Sequence, residues 1–278
     1  MKKLLLASSA LLFCGPVVAA DLPARMSVKA PVVAAVPYSW TGCYIGGHVG
    51  AGWDRTNFAD PGNPDVSAPA ITIQNIAPLG SSIGVNGHTA ALGGVQTGCD
   101  YQFANHWVVG LAGDVSWTDI HGLANDPFFA NKNGTLITLT TRTDRIATVA
   151  GRVGYAWDHF LLYSKGGAAW AHDQYGVQNL LGLNASFCGT FPATCNPTGN
   201  TDRMGWIVGA GFEWVFADNW SAMVEYDHYG FGSKGVGFAD PASLVATTAT
   251  FNVRQNIDVI KVGINYRFWT PEPVVARY

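Results

Sequence analysis

Residues 107–117 read Trp-Val-Val-Gly-Leu-Ala-Gly-Asp-Val-Ser-Trp. Side chains alternate sides along a strand, so Trp107, Val109, Leu111, Gly113, Val115 and Trp117 share one face. That face is apolar throughout and carries an indole at each end. Ten residues at about 3.3 Å each, tilted by about 40°, rise about 25 Å, the height of the lipid-facing band between the aromatic girdles of an outer-membrane barrel. The same ten-residue interval separates Phe160 from Trp170 and Trp206 from Phe216. Strands of a soluble sandwich would alternate too, but would not repeat rings at one span beside each short turn.

Working outward, alternating segments occupy residues 43–53, 89–103, 107–117, 145–157, 160–170, 206–216, 220–229 and 254–268. Short links at Ala104–His106, Asp158–His159 and Ala217–Asn219 alternate with long polar ones at about 54–87, 118–144, 174–202 and 230–253. This asymmetry predicts an all-β fold: an eight-stranded antiparallel up-and-down transmembrane β-barrel with short periplasmic turns and long extracellular loops. Trp53, Trp107, Trp117, Phe160, Trp170, Trp206, Phe216, Trp220 and Phe268 are the expected girdle residues. On the opposite register lie Asp114, Arg152, Lys165, Glu213, Glu225, Lys261 and Arg267, interleaved with glycines. Eight strands enclose an interior that side chains can fill. Lumen ion pairs are therefore expected, Asp114, Glu213 and Glu225 pairing with Arg152, Lys165 and Lys261, in preference to a conduction path.

Composition agrees with a membrane setting. Of 278 residues, 48% are hydrophobic and only 13% are charged, about half the roughly 25% of a soluble domain. A net charge of -3 carries no electrostatic footprint for nucleic acid. Lys2, Lys3, the apolar run Leu4–Phe13 and Val18-Ala19-Ala20 form a signal peptide over 1–20, with cleavage expected between Ala20 and Asp21. Residues 21–39, with Pro23, Pro31 and Pro37, read as a Pro/Ala-rich periplasmic lead-in, 40–268 as the barrel, and 269–278 as a periplasmic tail. Beyond the signal peptide stand Cys43, Cys99, Cys188 and Cys195, an even number in an exported chain. Cys43 and Cys99 fall on the outward register of neighbouring strands near the periplasmic edge. Cys188 and Cys195 share one loop. Pairing Cys43 with Cys99 and Cys188 with Cys195 avoids linking opposite membrane surfaces; the alternative is that the first two are small apolar residues facing lipid.

The ordered set Trp40-Thr41-Gly42-Cys43-Tyr44-Ile45-Gly46-Gly47, Gly93-Gly94-Val95-Gln96-Thr97-Gly98-Cys99-Asp100-Tyr101-Gln102-Phe103, Gly151-Arg152-Val153-Gly154-Tyr155 and Val262-Gly263-Ile264-Asn265-Tyr266-Arg267-Phe268 resembles the small outer-membrane barrel family of alpha-proteobacteria. These are the immunogenic, porin-family or OmpA-like barrels. The resemblance implies a surface-exposed antigen of the bacterial outer membrane that supports envelope integrity, with the outer-membrane lipid and the barrel assembly machinery as partners and a host or surface ligand on the extracellular loops. Such barrels commonly end at an aromatic read by that machinery, here Phe268, whereas this chain continues past Pro271 and Pro273 to Tyr278. Some relatives are described as porins or hemin binders.

Candidate chemistry is sparse. The glycine run 46–52 lacks the strand-to-helix context and the Lys-Ser/Thr pair of a phosphate loop. His88, His121 and His172 fall near the extracellular rim, where they could ligate a hemin iron. His172-Asp173 is the one adjacent His–Asp pair of the rim, and neighbours on a strand point to opposite faces. No metal site, no cofactor and no catalysis are expected. The function expected is a structural and surface-interaction barrel, with a narrow porin-like channel or a hemin receptor as alternatives.

Overall fold

In the computed structural model, the described residues are 38–59, 82–130, 136–178, 198–238 and 249–268. Their strands are β1 (Gly42–Ala59), β2 (Ser82–Asn86), β3 (Ala90–Gln102), β4 (Trp107–Ala130), β5 (Leu136–Trp157), β6 (Phe160–Gln178), β7 (Thr198–Ala217), β8 (Trp220–Phe238) and β9 (Ala249–Arg267). Each pairs antiparallel with its neighbour, and β9 returns to β1 from Tyr44↔Arg267 to Ala59↔Asn252. The β9–β1 pairing thereby closes the ring.

Nine strands still make eight staves. One edge of β1 pairs with β3 over Gly42–Gly52 and with β2 over Arg55–Ala59, so β2 and β3 are two pieces of one stave. The break lies at Gly87–Thr89, where Gly87 bridges to Gly122 of β4. A Cβ at Gly87 would run into the Asp54 carboxylate, which would have to move to admit it.

The strands also run past the boundaries read from sequence. The stretches 54–59, 118–130, 136–144, 174–178, 198–202, 230–238 and 249–253, expected as loop, are in strands. The reason is an inversion of faces above the upper rings. Up to Trp117 and Trp170 the outward side chains are apolar, such as Val109, Leu111, Leu162 and Val208, and the inward ones include the buried charges, such as Asp114, Arg152, Lys165 and Glu213. Beyond the rings the outward positions become Arg55, Asn57, Asp119, His121 and Arg142, while Phe58, Ile83, Val85, Leu139, Tyr175, Val177 and Val236 turn inward. This upper storey follows the pattern of a soluble barrel. Polar residues in a strand whose apolar partners face a lumen resemble loop when apolar-out is the expected pattern.

Glycine supplies the space for the large polar lumen residues. Tyr44 lies over Gly98, His48 over Gly94, Tyr163 over Gly211, Asp100 over Gly110 and Asp227 over Gly209, each pair being direct cross-strand partners. Gly46 and Gly47 test the point. A Cβ at inward Gly46 would collide with the Ile264 carbonyl oxygen, whereas at outward Gly47 the nearest atom is 3.7 Å away. Gly46→Ala should cost about 1–3 kcal/mol in urea unfolding from lipid vesicles, as overpacking does. Gly47→Ala should leave the midpoint within about 0.5 kcal/mol of wild type, as surface changes do.

Candidate functional site

The strands deliver the inward charges to one another. On the periplasmic side, Arg152 Nη2 of β5 lies 2.7 Å from Glu213 Oε2 of β7 and 3.3 Å from Asp100 Oδ2 of β3. Arg267 Nη2 of β9 lies 3.1 Å from the same Asp100 oxygen. Glu213 also accepts from Ser221 at 2.6 Å and from Asn265 Nδ2 at 3.0 Å. The Arg152 guanidinium stands 4.0 Å from the centre of the Tyr163 ring and donates to Tyr44 Oη at 3.1 Å.

Further along the same strands, Lys165 Nζ contacts Glu225 at 2.6 Å and Asp227 at 3.1 Å, while Lys261 Nζ contacts Asp227 at 2.8 Å and Asp114 at 3.1 Å. Thr148 donates to the other oxygen of Asp114, and Tyr163 Oη donates to Glu225. His48 Nδ1 meets Gln96 Oε1 at 3.0 Å and its Nε2 meets Ser116 Oγ at 2.8 Å, while Gln96 Nε2 donates to Asn265. All of these ionic side chains are buried. The network leaves a cavity of about 20 Å³ beside Tyr44, Asp114 and Glu225, the space of about one water molecule. Unpaired charges would be costly here, and the pairs together with the hydroxyls and amides answer them.

Apolar layers flank the ionic one. On its loop side, along each contributing strand, Leu92, Ile120, Ile146, Ala169, Ile207, Tyr229, Phe231, Ile257 and Val259 belong to one buried cluster. On the periplasmic side Val108, Ala156, Leu161 and Val215 pack with Trp40. Trp40 has no solvent exposure. Its backbone N donates to Gln102 Oε1 at 2.7 Å, its Nε1 to Asp158 O at 2.9 Å, and its carbonyl accepts from Arg267 Nη1 at 2.7 Å. Tyr38, assigned from sequence to the lead-in, donates its N to Asp158 and stacks on His159.

A third polar group lies beyond the apolar cluster. Asp173 accepts from Thr143 at 2.6 Å and from Tyr175 Oη at 3.1 Å. Arg203 donates to Tyr175 Oη and to the carbonyls of Phe231, Gly232 and Val253.

The structure thus brings together the six expected lumen residues, Asp114, Arg152, Lys165, Glu213, Glu225 and Lys261. It adds Asp100, Asp227 and His48, which the sequence reading did not single out. Parity would have found them, since Asp227 shares the register of Glu225 and Asp100 that of Gln96. Expected girdle residues Trp107, Trp117, Phe160, Trp170, Trp206, Phe216, Trp220 and Phe268 are exposed on the outer face; Trp53 is half-buried. The lower rings contact one another, as in Trp107–Tyr155 and Trp220–Tyr266.

Cys43 and Cys99 are directly opposed across β1 and β3, with Cα atoms 4.0 Å apart, and form a disulfide. Cys188, Cys195, the Ala20–Asp21 cleavage site and the tail 269–278 lie outside the described residues. The rim histidines do not assemble. His88 and His121 stack with ring centres 5.9 Å apart, whereas His172 Nδ1 bonds Asp202 at 2.8 Å, a bond that holds the Asp202 carboxyl below its usual range. His172 and Asp173 do point to opposite faces. Among the described residues no group of three or more His, Cys, Asp or Glu is arranged to hold a metal ion.

A family model described as outer membrane protein beta-barrel domain matches residues 22–268. The 31 kDa outer-membrane immunogenic protein of Brucella melitensis is 28% identical over 270 residues, covering 96% of this chain and all of that one. The 25 kDa outer-membrane immunogenic protein of Brucella abortus is 28% identical over 274 residues, covering 96% and 99%. Among solved structures, the outer membrane protease OmpT from Escherichia coli aligns with 84% of this chain and 99% of its own, at 9% identity and a TM-score of 0.48.

Proposed function

The chain belongs to the outer membrane β-barrel family and resides in the bacterial outer membrane, and we propose that it acts there as a closed structural barrel, without catalysis or solute conduction, that carries surface-interaction segments. The observation that supports this reading is the layering of the lumen. Buried ion pairs lie between an apolar cluster on the loop side and the Trp40 cluster on the periplasmic side. A conduction path would need continuous water, and an eight-stave barrel has no width to spare once its side chains are packed. The pairs tie β3, β4, β5, β6, β7, β8 and β9 together across the interior, which suits a part whose work is to persist in the envelope. The relatives' description as immunogenic matches outward-facing segments on the long-connection side. Attachment to assembly machinery and removal of residues 1–20 belong to the same proposal.

Planar-bilayer recording on the purified mature protein tests it. Channel activity should be absent above the leak of empty membranes, and sugar-driven swelling of proteoliposomes should match protein-free vesicles. Steady, size-selective conductance by the monomer would replace this reading with the narrow channel.

A further inference from the structure

The lumen of the upper storey holds carboxylates that no cation answers. In the membrane storey each carboxylate of the ionic network has a lysine or arginine nitrogen within 3.1 Å: Asp100 has Arg267, Asp114 has Lys261, Glu213 has Arg152, Glu225 has Lys165 and Asp227 has Lys261. Above the upper rings, Asp173 has no solvent exposure and Asp54 only 2%. Among the described residues neither has a Lys, Arg or His nitrogen within 4.0 Å. Asp54 Oδ2 accepts from Thr56 at 2.7 Å, while its Oδ1 has no hydrogen-bond partner. The arginine of this layer, Arg203, directs its donors elsewhere, Nη1 to Tyr175 Oη at 2.9 Å and Nη2 to the carbonyls of Phe231, Gly232 and Val253 at 3.2, 2.8 and 2.8 Å.

Apolar side chains enclose the layer along the strands. Ile120, Ile146 and Ile257 lie on its membrane side, and Phe58, Leu139, Val177 and Val253 on its loop side, all of them buried. The charged and titratable groups that face it are Asp54 from β1, Asp173 and Tyr175 from β6 and Arg203 from β7. β5 and β9 contribute Thr143 and Gln255, bonded to each other at 3.1 Å. β2 and β4 present Val85 and Gly122, and Tyr229 of β8 turns its hydroxyl down to Asp227. Two carboxylates against one arginine leave one negative charge in excess, which a dry interior strongly disfavours. One proton removes the excess. A metal ion fits less well, because both Asp173 oxygens already accept, from Thr143 and from Tyr175, and among the described residues no three His, Cys, Asp or Glu are arranged to hold one.

We propose that Asp54 and Asp173 hold one proton between them as a latch on the extracellular storey, which is tight in acid and loosens as the proton leaves near neutrality, while the membrane storey stays unchanged. Burial pushes the Asp173 carboxyl up to about 6, and the Asp54 charge adds to the rise, against the pull of Thr143, Arg203 and Tyr175. A carboxyl raised above its unfolded value of about 4 contributes stability that is complete below that value. The contribution is lost as pH rises through about 6. The storey can yield right beside the pair. β2 is a five-residue strand held by β1 and by one bridge at Gly87, whose N donates to Asp54 O at 3.0 Å. The segments that this storey carries are therefore held firmly in acidic surroundings and loosely in neutral ones. This goes beyond the structural role proposed above and stands whether or not the membrane storey conducts.

The test is hydrogen exchange of the mature full-length protein in lipid vesicles, read as protection factors so that the intrinsic pH dependence of exchange is removed. Protection of strand amides in 54–59, 82–87 and 173–177 should fall about tenfold from about pH 5 to about pH 7.5, and that of 107–117 should not change. Asp173→Asn, which keeps the shape and cannot ionise, should hold the acid level of protection at both values. Asp119→Asn, an exposed carboxylate on the outer face, should keep the wild-type pH dependence. Infrared titration of the wild type reads the same proton without a variant: a protonated-carboxyl band should fade as pH rises through about 6. Protection in the upper strands that is flat across this range, or the lack of such a band, would overturn the proposal. Calcium at millimolar concentration should leave protection at the higher pH unchanged; recovery of the acid level with calcium would make the pair a cation site and overturn it too.

Discussion

Glu213→Ala should destabilise the barrel by about 3–5 kcal/mol in urea unfolding from lipid vesicles, the cost of breaking a buried ion pair from one side. Glu213 has no solvent exposure, and its two oxygens hold Arg152, Ser221 and Asn265. Without it, Arg152 and Arg267 are left on the single carboxylate of Asp100, at 3.3 and 3.1 Å. The apolar clusters on either side deny the stranded guanidinium bulk water. Glu213→Gln, which keeps the shape and loses the charge, should fall between Ala and wild type. Replacing Arg152 and Glu213 together by Met and Leu should cost less than Glu213→Ala, because no charge is then orphaned. A loss below about 1 kcal/mol for Glu213→Ala would mean that water reaches the network, and the sealed lumen would fall with it.

Removing the Cys43–Cys99 link, by C43A/C99A, should cost about 4 kcal/mol, since it frees a closed loop spanning 56 residues in the unfolded chain. Both residues face outward near the periplasmic edge, where alanine is tolerated by lipid, so the loss measures the link rather than a packing defect. Non-reducing peptide maps of protein taken from the envelope should contain the Cys43–Cys99 cross-linked peptide, and the same maps report whether Cys188 pairs with Cys195. Free thiols at Cys43 and Cys99, or a stability change within about 0.5 kcal/mol, would contradict the cross-link.

The membrane storey was legible because lipid imposes a strict rule on the outer face. Trp107 to Trp117 spells it out, and the inward charges follow by parity. The upper storey was not legible, because its outward residues, such as Arg55, Asp119, His121 and Arg142, have loop composition and its apolar residues face a lumen expected to be polar. β2 was hidden in the same way, being five residues beside a glycine break. Trp40 illustrates a different limit. Its position ahead of the first strand was visible, but its burial depends on Asp158 and Arg267, which lie 118 and 227 residues away in sequence. Proximity of that kind follows only from ring closure. Pair partners inside the lumen were likewise beyond reach: Asp227 competes with Glu225 for Lys165, and the outcome is set by shear between strands.

The central claim is that the outer face changes from lipid-facing to water-facing at the upper rings of one continuous strand. Spin labels on single added cysteines at Leu111 and Leu123, with the Cys43–Cys99 link intact, measure it directly. Both leucines are outward and exposed on β4, twelve residues apart, at 68% and 55%. In reconstituted bilayers the label at 111 should relax with dissolved oxygen and ignore a water-soluble nickel complex, and the label at 123 should do the reverse. A label at 123 as protected from nickel as the one at 111 would contradict the two-storey barrel.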